Sequence, residues 1–139
     1  MKISAFLKIK DRPVITIGPN EAILVAIQKL VDHGIGALPV CDDKGMLLGI
    51  ISERDLLKEV FLRSSTMGST KVQDVMSKEV VTGTPEEDLN YVAKVMRRQK
   101  IRHLPIVVGQ KLQGIISMRD IVNRQLNEAE TEIRYLRSW

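Results

Sequence analysis

The chain is short of the residues that most protein chemistry needs. It has one cysteine, Cys41, so no disulfide can close within it. A lone thiol suits a reducing compartment, and a cytoplasmic location is expected. Cys41 reads as a strand residue, because a nucleophilic thiol needs a base and only His33 and His103 are on offer. Two histidines and one cysteine without ligand spacing argue against a structural zinc site. Aromatic residues are as scarce: Phe6, Phe61, Tyr91, Tyr135 and Trp139. None is interleaved with the basic run Arg97-Arg98-Gln99-Lys100-x-Arg102-His103, so that run offers no surface on which bases could stack. It reads better as a solvated helix end whose cations complement the helix dipole, and nucleic acid is not an expected partner. No apolar run approaches the roughly 18 residues of a membrane span, so no membrane partner is expected. The opening Met1-Lys2-Ile3-Ser4-Ala5-Phe6-Leu7-Lys8 meets charge too early for a signal peptide. Gly34-x-Gly36 precedes a strand and lacks the third glycine of a dinucleotide fingerprint, and no Gly-x-x-x-x-Gly-Lys-Ser/Thr loop occurs. The acids Glu86-Glu87-Asp88 fall in a helical first turn, where negative charge is simply stabilising. Enzymatic activity is not expected.

What is present is an ordinary globular chain of 139 residues, 44% hydrophobic, with a net charge of +4. That composition excludes disorder and suits anionic ligands in general. The chain also repeats itself. Val14-Ile15-Thr16-Ile17-Gly18-Pro19-Asn20-Glu21 matches Val80-Val81-Thr82-Gly83-Thr84-Pro85-Glu86-Glu87. Ile35-Gly36-Ala37-Leu38-Pro39-Val40 matches Ile101-Arg102-His103-Leu104-Pro105-Ile106. Leu48-Gly49-Ile50-Ile51-Ser52-Glu53-Arg54-Asp55-Leu56 matches Gln113-Gly114-Ile115-Ile116-Ser117-Met118-Arg119-Asp120-Ile121. Ordered self-similarity of this kind marks repeated structural units.

Each copy reads as β-α-β-β-α. A short strand is expected at Val14–Thr16 and at Val80–Thr82. A helix follows, with Gly18-Pro19-x-Glu21 or the capping box Thr84-Pro85-x-Glu87 as its start. Ile23, Ala26, Ile27, Leu30 and Val31 share one helical face, as do Leu89, Val92, Ala93 and Met96. Two strands joined at Asp42-Asp43-Lys44-Gly45, or at Gly109-Gln110, lead to a second helix starting at Ser52 or Ser117. The fold class is α/β (α+β). The expected divisions are 1–63 for the first repeat with its lead-in, 64–71 for a flexible polar linker, 72–122 for the second repeat and 123–139 for a helical extension. Units of about 60 residues are marginal alone, so the two should pack as a pseudo-twofold pair with related clefts. Val72, Val75 and Met76 should form a helical turn packed on the second copy. In the extension, Leu126, Ala129, Ile133 and Leu136, ending at Trp139, form an apolar stripe that either lies back on its own domain or meets a partner.

The chemistry sits in Gly-Ile-Ile-Ser-x-Arg-Asp, at Gly49–Asp55 and Gly114–Asp120. Its serine stands where a strand ends and a helix begins, and unpaired N–H groups there favour phosphate. The aspartate, one turn on, can accept two hydrogen bonds from adjacent ribose hydroxyls. Arg54 and Arg119 could pair with phosphate or with the other half. Ser-x-x-Asp is equally a plain capping box, and a cap exposed in a cleft can do both.

The repeated Leu-Pro-Val/Ile, hairpin and Gly-Ile-Ile-Ser-x-Arg-Asp resemble tandem cystathionine-β-synthase (CBS) domains, a Bateman module, from about Val14 to Val122. Val72-Gln73-Asp74-Val75-Met76-Ser77 resembles the segment that precedes a second such domain. The resemblance implies regulatory binding of AMP, ADP or ATP, with no obligatory cofactor, and action on a separate protein target. It implies that Asp55 and Asp120 hold ribose, and that Ser52 and Ser117 touch phosphate or ribose. Thr16 and Thr82, with Ala37-Leu38-Pro39 and His103-Leu104-Pro105, would frame adenine. Arg102 and His103 stand where Gly36 and Ala37 stand in the first copy, so the Asp120 cleft is expected to be the better phosphate site. A homodimer is expected by analogy.

Overall fold

A computed structural model describes residues 1–137. Each repeat is a two-stranded antiparallel sheet between helices. In the first, α2 (Ile23–His33) leads to β1 (Ala37–Cys41), β2 (Leu47–Ser52) and α3 (Glu53–Arg63). In the second, α5 (Leu89–Gln99) leads to β3 (His103–Val108), β4 (Lys111–Ser117) and α6 (Met118–Arg137). Two further helices, α1 (Ile3–Lys10) and α4 (Val72–Val75), precede the repeats. Both hairpins have the same register: Ala37 faces Ser52 and His103 faces Ser117, with one irregularity near the far end of each. Gly45 and Gly109 take positive φ, 82° and 61°, in the connecting turns, where a side chain would be strained.

The expected opening strands shrink to single parallel bridges one residue later, Ile17 with Val40 and Gly83 with Ile106. Pairing cannot continue, because Pro19 and Pro85 follow closely and proline has no N–H to donate. Nor do those prolines start the helices. Thr84 and Glu87 do bond, Thr84 N to Glu87 Oε1 at 2.8 Å, but they close a turn. The helix begins later, at Leu89, with the Asp88 carboxylate accepting from the amides of Asn90 and Tyr91 at 3.0 and 3.2 Å. Asp88 and Ala22 are held extended by antiparallel bridges to Lys2 and Lys71, so helical turns cannot form before them.

Those bridges reveal an exchange. Val72 N donates to Glu21 O at 2.8 Å and Gln73 N to Pro19 O at 3.0 Å; Ile3 N donates to Glu87 O at 3.0 Å and Ser4 N to Pro85 O at 2.9 Å. The lead-in of each repeat is thus seated on the other. Val72 is fully buried in the first core, beside Ile23, Leu38 and Ile51, and Val75 and Met76 pack against it. The expectation that this turn packs on the second copy is corrected. Reciprocally, Ile3 and Phe6 of α1 lie in the second core with Val92, Met96 and Ile116.

The motif glycines make room for these visitors. A Cβ on Gly49 would lie 2.6 Å from the carbonyl oxygen of Ser77, and one on Gly114 would lie 2.9 Å from Leu7 Cδ2. Sequence order hides this, because the contacts link segments far apart in the chain.

The linker is folded. Residues Ser64–Thr66 form a 3₁₀ turn, and Thr66 O accepts from the amides of Ser69 and Thr70 at 3.1 and 3.0 Å. Small hydroxylated residues bond back to the chain here, as they do in turns. On α2 the buried stripe is Ile23, Ala26 and Leu30, with Ile27 half-buried; Val31 is 74% exposed, at the edge of the stripe in the last turn. The stripe predicted for α5 is buried in full.

The hairpin turns also touch across the repeats. Leu47 N donates to Gln110 O at 2.8 Å and Leu112 N to Gly45 O at 3.1 Å.

Candidate functional site

At both strand–helix junctions the serine and aspartate bond to each other. Ser52 N donates to Asp55 Oδ2 at 2.9 Å, Ser52 Oγ donates to the same oxygen at 3.0 Å, and Asp55 N donates to Ser52 Oγ at 3.3 Å. In the second copy Ser117 N donates to Asp120 Oδ2 at 3.2 Å and Asp120 N to Ser117 Oγ at 3.0 Å. These are reciprocal caps. They consume Oδ2 of each carboxylate. Among the described residues neither Oδ1 accepts a hydrogen bond, so each aspartate keeps an acceptor for a ligand.

The sheet places the remaining residues beside these caps. Ala37 lies across from Ser52, and Glu53 N donates to Gly36 O at 3.0 Å; His103 lies across from Ser117, and Met118 N donates to Arg102 O at 2.8 Å. Thr16 is drawn alongside β1 because Ile17 N donates to Pro39 O at 3.1 Å, and Thr82 alongside β3 because Gly83 N donates to Pro105 O at 2.9 Å. Ala37, Pro39 and Pro105 are buried and carry no polar side-chain atom, so backbone groups are what they can offer. Arg54, Arg102 and Arg119 are exposed and make no ion pair among the described residues.

The two copies do not have the same surroundings. Lys10, at the end of α1, reaches Asp120 Oδ2 at 2.8 Å and also donates to Ile115 O at 2.8 Å. The pair is mostly buried, at 18% and 21% exposure. Burial pushes the Asp120 carboxyl up, but the hydrogen bond and charge of Lys10 and the bonds from Ser117 outweigh it and leave the group below its ordinary value. Asp55 has no ion pair among the described residues. No local pattern could have found Lys10, which is 110 positions from Asp120.

His103 changes character in its setting. Burial lowers its pKa, and the neighbouring Glu53 and Asp120 carboxylates only partly oppose this. It is therefore a neutral hydrogen-bonding ring near pH 7, and the cation beside Asp120 is Lys10. Glu53 belongs to the first repeat. Its Oε1 and the His103 ring both crowd Gly36, at 2.7 and 3.2 Å from where a Cβ would stand. The two strand starts meet there.

Open space occurs in two places. A groove of about 780 Å³ runs between α1 and α6, lined by Phe6, Ile9, Lys10, Arg12, Asp120 and Arg124 among others. A depression of about 590 Å³ is lined by Thr16, Lys29, Glu21, Asp42 and Asp43, and Lys29 Nζ donates to Thr16 O at 2.8 Å. Asp55 does not line the depression that holds Thr16, and neither Thr82 nor His103 lines the groove that holds Asp120.

Cys41 is buried, and burial with Asp42 nearby raises its pKa, the reverse of an activated thiol. No group of three metal-ligating side chains occurs among the described residues, and no described helix is long and apolar enough to cross a membrane. On α6, Leu126, Ile133 and Leu136 are 56%, 49% and 64% exposed, so the described residues do not cover the stripe; Trp139 lies outside them.

Comparison with known proteins matches both repeats. The sequence model of the CBS domain matches residues 8–62 and 72–127. The CBS domain-containing protein YhcV of Bacillus subtilis is 37% identical over 120 residues, 84% of this chain and 82% of that protein. Several other curated relatives are longer, and the chain spans less than two thirds of them. The structure of CBSX2 in complex with AMP superposes with a TM-score of 0.77 at 28% identity, covering 92% of this chain and 98% of that one. The CBS domain pair of protein MJ0100, in complex with 5′-methylthioadenosine and S-adenosyl-L-methionine, gives 0.80 at 26% identity over 92% and 98%.

Proposed function

Because the chain belongs to the CBS domain family and carries two copies of the domain, we propose that it is a cytoplasmic regulatory module that binds AMP, ADP or ATP reversibly and acts on a separate protein. The observation that carries this reading is the doubled junction. Two Ser-x-x-Asp caps, each with an unused carboxylate oxygen, stand at helix N-termini beside the strands that would frame adenine. Relatives of the same fold are crystallised with AMP and with adenosyl thioethers and sulfoniums, so an adenosine moiety is the shared element. In this reading the bound compound is released unchanged. Ligand acts by favouring one arrangement of the two repeats over another, through unequal affinity for the two.

Asp120 is the stronger phosphate site of the two. Removing it abolishes AMP binding, whereas Asp55→Ala leaves AMP bound; the reverse pattern overturns this ranking. The exposed apolar faces of α3, with Phe61 at 89% and Leu57 at 68%, and of α6 fit a homodimer, tested by solution mass at micromolar concentration.

The test of the function is thermal unfolding of ligand-free protein with AMP, ADP, ATP, NAD and S-adenosylmethionine. A ligand at 100 times its dissociation constant stabilises by about 2.7 kcal/mol, or several degrees for a chain of this size. A shift that disappears in Asp120→Ala supports the sensor. No shift with any compound favours the second reading, a nucleotide-independent scaffold, which has its own observation: both aspartates are already bonded as caps.

A further inference from the structure

We infer that Lys10 divides the two clefts by ligand charge, so that the Asp120 cleft takes phosphorylated adenosine compounds and the Asp55 cleft takes uncharged or sulfonium-bearing ones. This rests on the adenosine-binding reading above and names the ligand class of each cleft.

The argument is one of net charge at matched positions. Both strand–helix junctions carry the same serine, arginine and aspartate. In the second, the Lys10 ammonium lies 2.8 Å from the Asp120 carboxylate and neutralises it. In the first, Asp55 bonds only to neutral groups of Ser52 and has no ion pair among the described residues. Glu53, between the strand starts, adds negative potential to both. A phosphate approaching Asp55 therefore meets one more uncompensated carboxylate than one approaching Asp120, where Lys10 offsets the charge. The first repeat does hold a lysine near its opening strand, Lys29, but Asp55 does not line the depression in which it sits.

Lys10 is also placed to do more than cancel charge. Two of its three N–H groups are committed, to Asp120 Oδ2 and Ile115 O, and the third is left over. Its stem is buried, so it reaches a phosphate without losing further side-chain freedom. The groove continuing from the pair along α1 and α6 adds Arg12, which has no ion pair among the described residues, whereas Arg124 there is paired with Glu128 at 3.3 Å and Glu132 also lines it. Asp120 Oδ1 stays open for a ribose hydroxyl while Lys10 holds Oδ2.

The test is calorimetric titration of the full chain with adenosine, AMP and S-adenosylmethionine. Asp55→Ala isolates the Asp120 cleft and Asp120→Ala isolates the other, each variant first shown to be folded by circular dichroism. In the Asp55→Ala background AMP should bind about tenfold or more tighter than adenosine. Adding Lys10→Gln should bring that ratio close to one, and Lys10→Arg should restore it. In Asp120→Ala the order should invert, with S-adenosylmethionine or adenosine ahead of AMP. Should Asp55→Ala not fold, the ratio is read from two-site titrations of wild type and Lys10→Gln. An unchanged AMP-to-adenosine ratio in Lys10→Gln overturns the proposal. So does tighter binding of both ligands, which would make Lys10 a plug. Failure of wild type to bind any adenosine compound is a different result, and removes the sensor reading itself.

Discussion

Asp120 titrates in a tug between burial, which favours its neutral form, and Lys10, which favours the charged one and wins. A carboxyl whose folded pKa lies below its free value of 3.8 contributes stability above that value and loses it as pH falls through the folded one. Lys10→Gln should therefore lower the urea midpoint at neutral pH, by about 1–3 kcal/mol in free energy, with the difference fading as the solution is acidified past the carboxyl range. His103 works in the opposite part of the scale. Its folded pKa is below the free value of 6.5, so the unfolded chain takes up the proton first and stability falls as pH drops below 6.5. His103→Gln should flatten that part of the profile. Unequal slopes in wild type and variant between neutral and mildly acid pH are the reading to look for. Neither behaviour was legible in the sequence. The Ser-x-x-Asp pairs were, because a cap is local chemistry. His103 looked like a phosphate cation because its burial and the Glu53 carboxylate beside it come from tertiary structure.

At the scale of elements, the two motif glycines are a natural pair of experiments. Gly49→Ala drives a Cβ against the Ser77 carbonyl, which is fixed by a 3.0 Å bond from Ile50 N. Gly114→Ala meets only the end of the Leu7 side chain, which can rotate away. Overpacking of this kind costs about 1–3 kcal/mol, and the first substitution should fall near the top of that range and the second near or below the bottom. Equal losses in chemical denaturation would mean that the α4 segment yields as readily as Leu7. The helices and hairpins themselves could be read in advance, since period and turn residues specify them. The buried stripe of α5 came out residue for residue, while that of α2 stopped short of Val31. The helix starts came out late, and for one reason: Ala22 and Asp88 are held extended by Lys71 and Lys2, strands contributed from the other repeat. A local capping signal cannot foresee a partner supplied from so far along the chain.

For the whole molecule, the exchanged lead-ins make the repeats interdependent. The first core is completed by Val72 and the second by Ile3 and Phe6. A fragment ending at residue 63 lacks the former, and one starting at 72 lacks the latter. Each should show little cooperative unfolding by circular dichroism alone, and mixing the two should restore it, since each piece carries the lead-in that completes the other's core. The CBS pair is legible in the sequence as two repeats; that they are stitched crosswise is not, because the segments that cross carry no motif of their own. Synthesis imposes an order on that stitching. Helix α1 leaves the ribosome ahead of both repeats, yet its seat, formed with Ile116 and Ile121, is made at the end of the second. At 5–20 residues per second, Ile3 and Phe6 spend on the order of ten seconds without the surface that will cover them. For that interval α1 carries an apolar face with no partner made for it, and anything else that face can stick to has the first chance at it.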